Sequence, residues 1–288
     1  MRERPPGPNP FGKSTRRDGG RGSAGGGRGG SPKAAKLGRT SSWRRGARDR
    51  DGPVILYGWH TVKAALENPR RHIRRLLATE NAARRLADDG VRGPLEAELV
   101  RSEDIAALAG HEAVHQGLYA EADPLEEPEL EDVAAGGILL ALDQITDPHN
   151  VGAILRSAAA FAVKAVVTTE RHSPEASGVL AKAASGALEH VPLITVVNLA
   201  RALEELRELH AHVVGLDSSG DADLAATPLA APLALVVGAE GKGLRQLTRA
   251  RCDIVARLVL PGPIASLNVS NATALALYVA NARLRVPA

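Results

Sequence analysis

From Gly137 onward the chain alternates continuous apolar runs with helical patterns, and this alternation most limits the folds open to it. The apolar runs read ILLAL, KAVVTT, PLITVV, HVVGL, LALVVG and VARLVL. Helix-period segments separate most of them, at 151–161, 177–190, 199–209 and 244–250. Strands apolar on both faces and spaced by helices imply a parallel sheet covered on both sides. A last helix over 270–285 carries ALALYVA and is apolar nearly all round. It is expected to be buried, within the fold or against a second subunit. The class is α/β.

The preceding region, 53–121, alternates on a smaller scale. VILYGW opens it, and a short helix follows with Val62, Ala65 and Leu66 on one face, stopping at Asn68-Pro69. Strands are expected at 73–78, 95–100 and 115–120, with helices near 81–87 and after Ser102, which makes a small α/β domain. The stretch 122–136 begins ADPLEEPELED, with two prolines and six acids, and reads as an acidic linker. The parallel-sheet domain would then span 137–288.

Residues 1–52 are nearly all Gly, Arg, Ser and Pro. Such a segment has too little apolar surface to offset its ordering entropy, so disorder is expected. It holds 14 Lys and Arg against 4 Asp and Glu, a local charge of +10, whereas the remaining chain has 36−14 = 22 basic and 33−4 = 29 acidic residues, or −7. A basic arm on an acidic body points to a polyanion such as RNA, or else to a solubilising extension; both readings stand at this level. The N-terminus lacks the apolar core of a secretory signal, and no apolar run approaches the roughly 18 residues of a membrane span. A soluble cytoplasmic protein with no membrane partner is expected.

In an open parallel sheet, ligands bind at the carboxyl ends of the strands. Three such ends are unusual here. The first is TDPHNVGAILRSA, where Asp147-Pro148 sets a turn and Asn150 is placed to cap the following helix. Gly152 would weaken that helix unless a backbone or ligand comes close. Arg156 has only Gly152, Ala153, Ala159 and Ala160 as its helix neighbours three and four positions away, so no acid pairs with it there. It is either a phosphate ligand or an ordinary solvated arginine. The second end, LALVVGAEGKGL, brings Gly238, Gly241 and Gly243 around Glu240. Its spacing is neither that of a dinucleotide fingerprint nor that of a P-loop, and such a loop taken alone is more often a plain turn. The third, LVLPGPIASLNVSNATALAL, offers Ser266, Asn268, Ser270 and Asn271 where one helix cap would suffice, beside Leu260 and Leu267. Taken together they supply glycine-lined backbone, amides, a carboxylate and an arginine at one sheet edge. His111 and His115 lack the glutamate of a zincin helix and Cys252 is single, so no metal is expected.

These three segments, in this order, resemble the three motifs of the SpoU/TrmH class of the SPOUT methyltransferase superfamily. Asn150-x-Gly152-x-x-x-Arg156 matches the first, Val237–Gly241 the second, and Leu260-Pro261 with Ser266–Ser270 the third. The resemblance covers about 54–288. YGWHTVKAALEN is similar to the opening of the family's L30e-like substrate-binding domain. The resemblance implies a deep trefoil knot, a homodimer, and S-adenosylmethionine held by backbone at Gly238, Leu260 and Leu267. It implies methyl transfer to a ribose 2′-OH of RNA, most closely a guanosine of 23S ribosomal RNA. Transfer RNA, or binding without catalysis, are the alternative readings. It places Arg156, Asn150, Glu240, Ser266 and Asn268 in the catalytic shell. A positioning role for Arg156 is preferred, because arginine is hardly ever deprotonated in proteins. The loop PGPIASLN is shorter than the family pattern, which bears on how the methionine end is held.

Overall fold

The computed structural model describes residues 52–172, 178–264 and 266–285. The basic arm expected at 1–52 therefore lies, apart from Gly52, outside the described residues, as does Ser177 at the expected start of a helix.

The first sheet is built from β1 (Val54–Tyr57), β2 (Ile73–Ala78), β3 (Glu98–Leu99) and β4 (Leu118–Ala122), in the order β1-β4-β2-β3. β4 runs antiparallel to both neighbours and β3 parallel to β2. Helices α1 (Trp59–Glu67), α2 (Glu80–Asp88) and α3 (Ser102–Ala109) accompany it. α1 ends where proline chemistry requires: Asn68, which precedes Pro69, is extended at φ −88° and ψ 111°. The strand expected over 95–100 shortens to two residues. The one expected over 115–120 starts three residues later, because Gln116 and Gly117 both take positive φ and cannot join a ladder.

The stretch expected as a linker contains a helical turn, α4 (Leu130–Val133), whose Leu130 is fully buried against the second sheet. That sheet comprises β5 (Ile138–Asp143), β6 (Ala165–Thr169), β7 (Leu193–Val196), β8 (His212–Leu216), β9 (Ala222–Asp223), β10 (Leu233–Gly238) and β11 (Ile254–Arg257). Every pairing is parallel and the order is β7-β6-β5-β10-β8-β11-β9. The helices are α5 (Pro148–Ala160), α6 (Gly178–Ala184), α7 (Leu199–Glu208), α8 (Gln246–Arg249) and α9 (Val269–Arg285).

The unbroken apolar strands have a direct cause. Successive side chains point to opposite faces, so a strand covered twice needs apolar residues at every position. Ile138, Leu140 and Leu142 pack with Ile154 and Leu155 of α5, Leu180 of α6 and Leu277 of α9. Leu139 and Ala141 pack on the other face with Leu130 and with Leu199, Leu203 and Leu206 of α7. Within this chain the last helix buries one face only. Ala276, Leu277 and Ala280 are buried, while Leu275 is 47% and Tyr278 63% exposed.

The smaller sheet is docked on α6 and on the turn after it. Ala181 and Leu188 pack into its apolar core. Arg71 and Glu189, 5% and 2% exposed, form a two-pronged pair at 3.1 and 2.7 Å, with Asn68 Nδ2 donating to the same carboxylate at 2.7 Å. A pair so buried adds little net stability, but removing one partner would strand the other charge. It therefore fixes how the two sheets face each other.

Candidate active site

The site begins at the carboxyl ends of β5 and β10, which are hydrogen-bonded neighbours with Gly238 opposite Asp143. After β5 the chain turns into α5. Its N-cap is Asp147, whose carboxylate accepts from the His149 backbone N–H at 3.0 Å, with Pro148 at the first helical position. The sequence pattern predicts Asn150 in that role and the helix from 151. The helix starts three residues earlier, because an Asp before a proline already satisfies both requirements of a helix start.

Asn150 is thereby released for another contact. Its Oδ1 accepts from Asn268 Nδ2 at 3.0 Å. Asn268 in turn starts α9: its Oδ1 accepts from the Ser270 N–H at 2.9 Å and from Ser270 Oγ at 2.6 Å. Of the four polar candidates before α9, Asn268 provides the cap and Ser270 supports it. The first and third motifs are thus joined by one side-chain hydrogen bond across 118 residues.

Gly152 is explained by packing rather than by a ligand. A Cβ there would lie 2.4 Å from Ala183 Cβ and 2.7 Å from the Ala183 carbonyl carbon, so α5 and α6 could not approach as they do. Arg156, one turn further along, is exposed and has no hydrogen-bond or ion-pair partner among the described residues. The bare helix face read from the sequence is present.

Gly238, buried at the end of β10, also answers to its own chain. A Cβ would lie 2.3 Å from the Gly243 carbonyl carbon and 2.6 Å from the Leu244 nitrogen. The loop folds back on itself, with Gly243 N–H donating to Ala239 O at 2.9 Å. Two carboxylates absent from the sequence reading brace it. Asp143, fully buried, accepts from the Arg245 backbone N–H at 2.9 Å and from Arg245 Nε at 2.6 Å. Asp217, just past β8, accepts from the Leu244 N–H at 2.9 Å. Burial pushes the Asp217 carboxyl up, but bonds from the Ser219 side chain, the Leu244 and Ser219 N–H groups and the Arg249 charge outweigh it, so its pKa falls below the ordinary carboxylate range. The available signal was an acid closing an apolar strand, in LLALD and VVGLD. Glu240 is exposed and makes no hydrogen bond to the other candidate residues. The helix expected over 244–250 shortens to α8, because Leu244 and Arg245 are held by these acids.

β11 ends at Arg257, not at Leu260 as VARLVL suggests. From there the chain recrosses the sheet edge: β11 lies three places from β5 in the strand order, yet Asn268 reaches Asn150 on the helix after β5. Among the described residues, no backbone N–H or C=O of 259–267 takes part in a main-chain hydrogen bond. Leu260 and Leu267 are half-buried and Ser266 is exposed. Main chain free of main-chain bonds, between half-buried apolar side chains, suits a ligand with a flat apolar ring and polar edges. The structure brings Asn150 to Asn268, and Gly238 beside the end of β5, the strand that precedes the first motif. It makes no hydrogen bond linking Arg156, Glu240 or Ser266 to the others among the described residues.

Comparison with known proteins agrees with this layout. Residues 137–278 match the SpoU rRNA Methylase family, and residues 55–128 match the family described as RNA 2′-O ribose methyltransferase substrate binding. The 23S rRNA (guanosine-2′-O-)-methyltransferase RlmB of Yersinia pestis is 40% identical over 239 residues, covering 78% of this chain and 95% of that protein. Its counterpart from Photorhabdus laumondii is 41% identical over 241 residues, with 78% and 96% covered. Among solved structures, a putative RNA methyltransferase of the TrmH family from Porphyromonas gingivalis superposes with a TM-score of 0.68 at 27% identity, covering 81% of this chain and 91% of that one. AviRb from Streptomyces viridochromogenes, solved with AdoMet, gives 0.68 at 24% identity over 83% of this chain and 93% of that one, a likeness of fold. With both sheets matched and relatives covered almost end to end, the chain belongs to the SpoU rRNA methylase family and is an RNA 2′-O-methyltransferase.

Proposed function

We propose that the protein methylates the ribose 2′-OH of a guanosine in 23S ribosomal RNA, using S-adenosylmethionine bound at the carboxyl edge of the larger sheet. The reading is supported by an exposed Arg156 on a Gly/Ala helix face, without a partner among the described residues, and by a recrossing segment that makes no main-chain hydrogen bond among the described residues. The residues present fit the cofactor. Backbone along 259–267 would hold its polar edges, Leu260 and Leu267 its apolar ring, and the β10 end at Gly238 would wall the site. When bound, it supplies a methyl group on a positively charged sulfur.

The remaining work falls to the chain. A ribose hydroxyl is a poor nucleophile, so it must be held in line with the methyl group and helped to lose its proton. Arg156 suits the positioning part: its planar fork can clasp the neighbouring phosphate with two bonds and stabilise negative charge growing on the oxygen. Asn150 and Asn268, each fixing the other, present amide groups at the same edge. Ser266 and Glu240 are exposed on the two loops flanking it and complete the polar shell. None of these steps calls on a metal.

The recrossing of 258–268 supports a trefoil-knotted chain, a known departure from the rule against threading. Leu275 and Tyr278, large apolar side chains exposed on a helix whose other face packs in the core, support a homodimer through α9. No helix among the described residues is long and apolar enough to cross a membrane, in keeping with action on ribosomal RNA in the cytoplasm. The +10 arm would add phosphate attraction without sequence choice. Mapping 2′-O-methyl groups in ribosomal and transfer RNA, with and without the protein, tests the proposal. A missing methyl on a 23S guanosine supports it. A missing methyl on transfer RNA alone redirects it. No change, with cofactor bound, leaves an RNA-binding protein that does not catalyse.

A further inference from the structure

The smaller domain holds a pocket of about 360 Å³ lined by Trp59, Asn81, Arg85, Ser102, Gln116 and Gly117, among others. It opens between the starts of α1, α2 and α3. Its floor is unusual. Trp59 is buried, and the Arg85 guanidinium carbon sits 3.7 Å from the centre of its ring. Arg85 is exposed and makes no salt bridge among the described residues, although its charge lies close enough to Asp89 to help lower that carboxyl's pKa. An arginine held over an indole is fixed in place by the ring while its outer surface stays free.

The polar groups around it are arranged for recognition. Gln116, at φ 54°, has its Oε1 occupied twice: it accepts from the Trp59 backbone N–H at 3.0 Å and from Lys182 Nζ at 2.9 Å. Its amide nitrogen makes no hydrogen bond among the described residues. Asn81 is exposed in the first turn of α2, and its side chain makes no hydrogen bond among the described residues. A fixed guanidinium plane with free amide donors and acceptors at its rim matches an unstacked nucleobase, which RNA-binding proteins take on arginine planes and read at its edge. A paired base inside a duplex offers no such face.

We propose that this pocket takes one unpaired base of the RNA substrate, stacked on Arg85 with its edge met by Asn81 and Gln116. The proposal rests on RNA being the substrate. Lys182 belongs to α6 of the larger domain, so its bond to Gln116 ties the pocket to the body that carries the reaction. The pocket would set which nucleotide reaches the active site by holding another one at a fixed distance.

The test uses the full chain, at salt high enough to suppress phosphate attraction. The probes are a short labelled single-stranded RNA and the same strand annealed to its complement. Arg85→Ala is expected to weaken single-strand binding at least about fivefold, the lower end of what one base stack contributes. Duplex binding and the affinity for S-adenosylmethionine should not change. Arg85→Lys keeps the charge but loses the plane, and should fall with Arg85→Ala. Binding by Arg85→Lys equal to the unmodified protein, or equal losses on both probes, would overturn the base site in favour of plain charge attraction. Methyl transfer to 23S RNA on the same preparations separates the two claims. Normal transfer with an unaltered KM for RNA in Arg85→Ala removes the pocket and leaves the enzyme. A selective single-strand loss in a protein that transfers no methyl keeps the pocket and removes the enzyme.

Discussion

Two loops meet at the carboxyl edge of the larger sheet, and they are held in opposite ways. The glycine loop after β10 consumes its own polar groups: Gly243 bonds to Ala239, Leu244 to Asp217, and Arg245 to Asp143. The recrossing segment 259–267 makes no main-chain hydrogen bond among the described residues and is secured at its far end by Asn268. A braced loop can act as a wall, since its atoms are already committed. An unbraced one next to it can donate to a ligand. The same division separates the two first-motif residues: Gly152 is spent on packing against α6, whereas Arg156 is exposed and has no partner among the described residues.

The largest effect should come from the uncommitted side. Arg156→Ala removes a side chain that holds nothing in the fold, so thermal stability and cofactor affinity should stay unchanged. Methyl transfer should fall on the order of a hundred- to a thousand-fold, the loss of about 3–4 kcal/mol that follows removal of one transition-state contact. Single-turnover transfer of labelled methyl to 23S RNA measures it. A drop in stability instead would put Arg156 with the braced residues.

On the committed side the order of effects reverses. Gly238→Val would drive side-chain atoms into the Gly243 backbone, and overpacking of this kind costs about 3 kcal/mol. Its melting temperature should fall, and cofactor binding should fail with it because the wall has moved. A folded variant of unaltered stability that still loses the cofactor would show that Gly238 answers to the ligand after all. Asp143→Asn tests the brace more gently. It leaves an acceptor for the Arg245 N–H but removes the buried charge facing Arg245 Nε, at a cost of about 2 kcal/mol. Denaturant unfolding measures that cost, and an unchanged midpoint would detach Asp143 from the loop's stability.

The sequence carried the larger sheet well because burial on both faces demands apolar residues at every strand position, a signal independent of partners. It carried β3 and the end of β11 poorly. Short edge strands are set by what lies beside them, and neither Glu98–Leu99 nor Leu258–Leu260 has a local pattern that distinguishes strand from extended loop. The site followed the same rule. Arg156 stood out because its helix neighbours are small. Asn150 was misplaced as a cap because Asp147-Pro148 satisfies the same start one turn earlier. Asp143 and Asp217 went unread because their partners are backbone N–H groups 102 and 27 residues away, which no spacing along the chain reveals.

The smallest effect concerns Asp217, and pH exposes it. Its carboxyl is held below the ordinary range, so the folded protein prefers it ionised more than the unfolded chain does. Its contribution is therefore fully present above the unfolded value of about 3.9 and is lost as pH falls through the lower folded value. Asp217→Asn cannot carry that charge at any pH. The melting temperatures of the two proteins should differ by a constant amount between about pH 6 and 8, and should converge only once pH falls below about 4. The carboxylate bonded to Leu244 and Ser219 thus steadies the glycine loop across the working range without making it pH-sensitive. Convergence already near pH 6 would mean that a histidine or another group with a higher pKa sets the loop, and the contrast between braced and open segments would have to be drawn elsewhere.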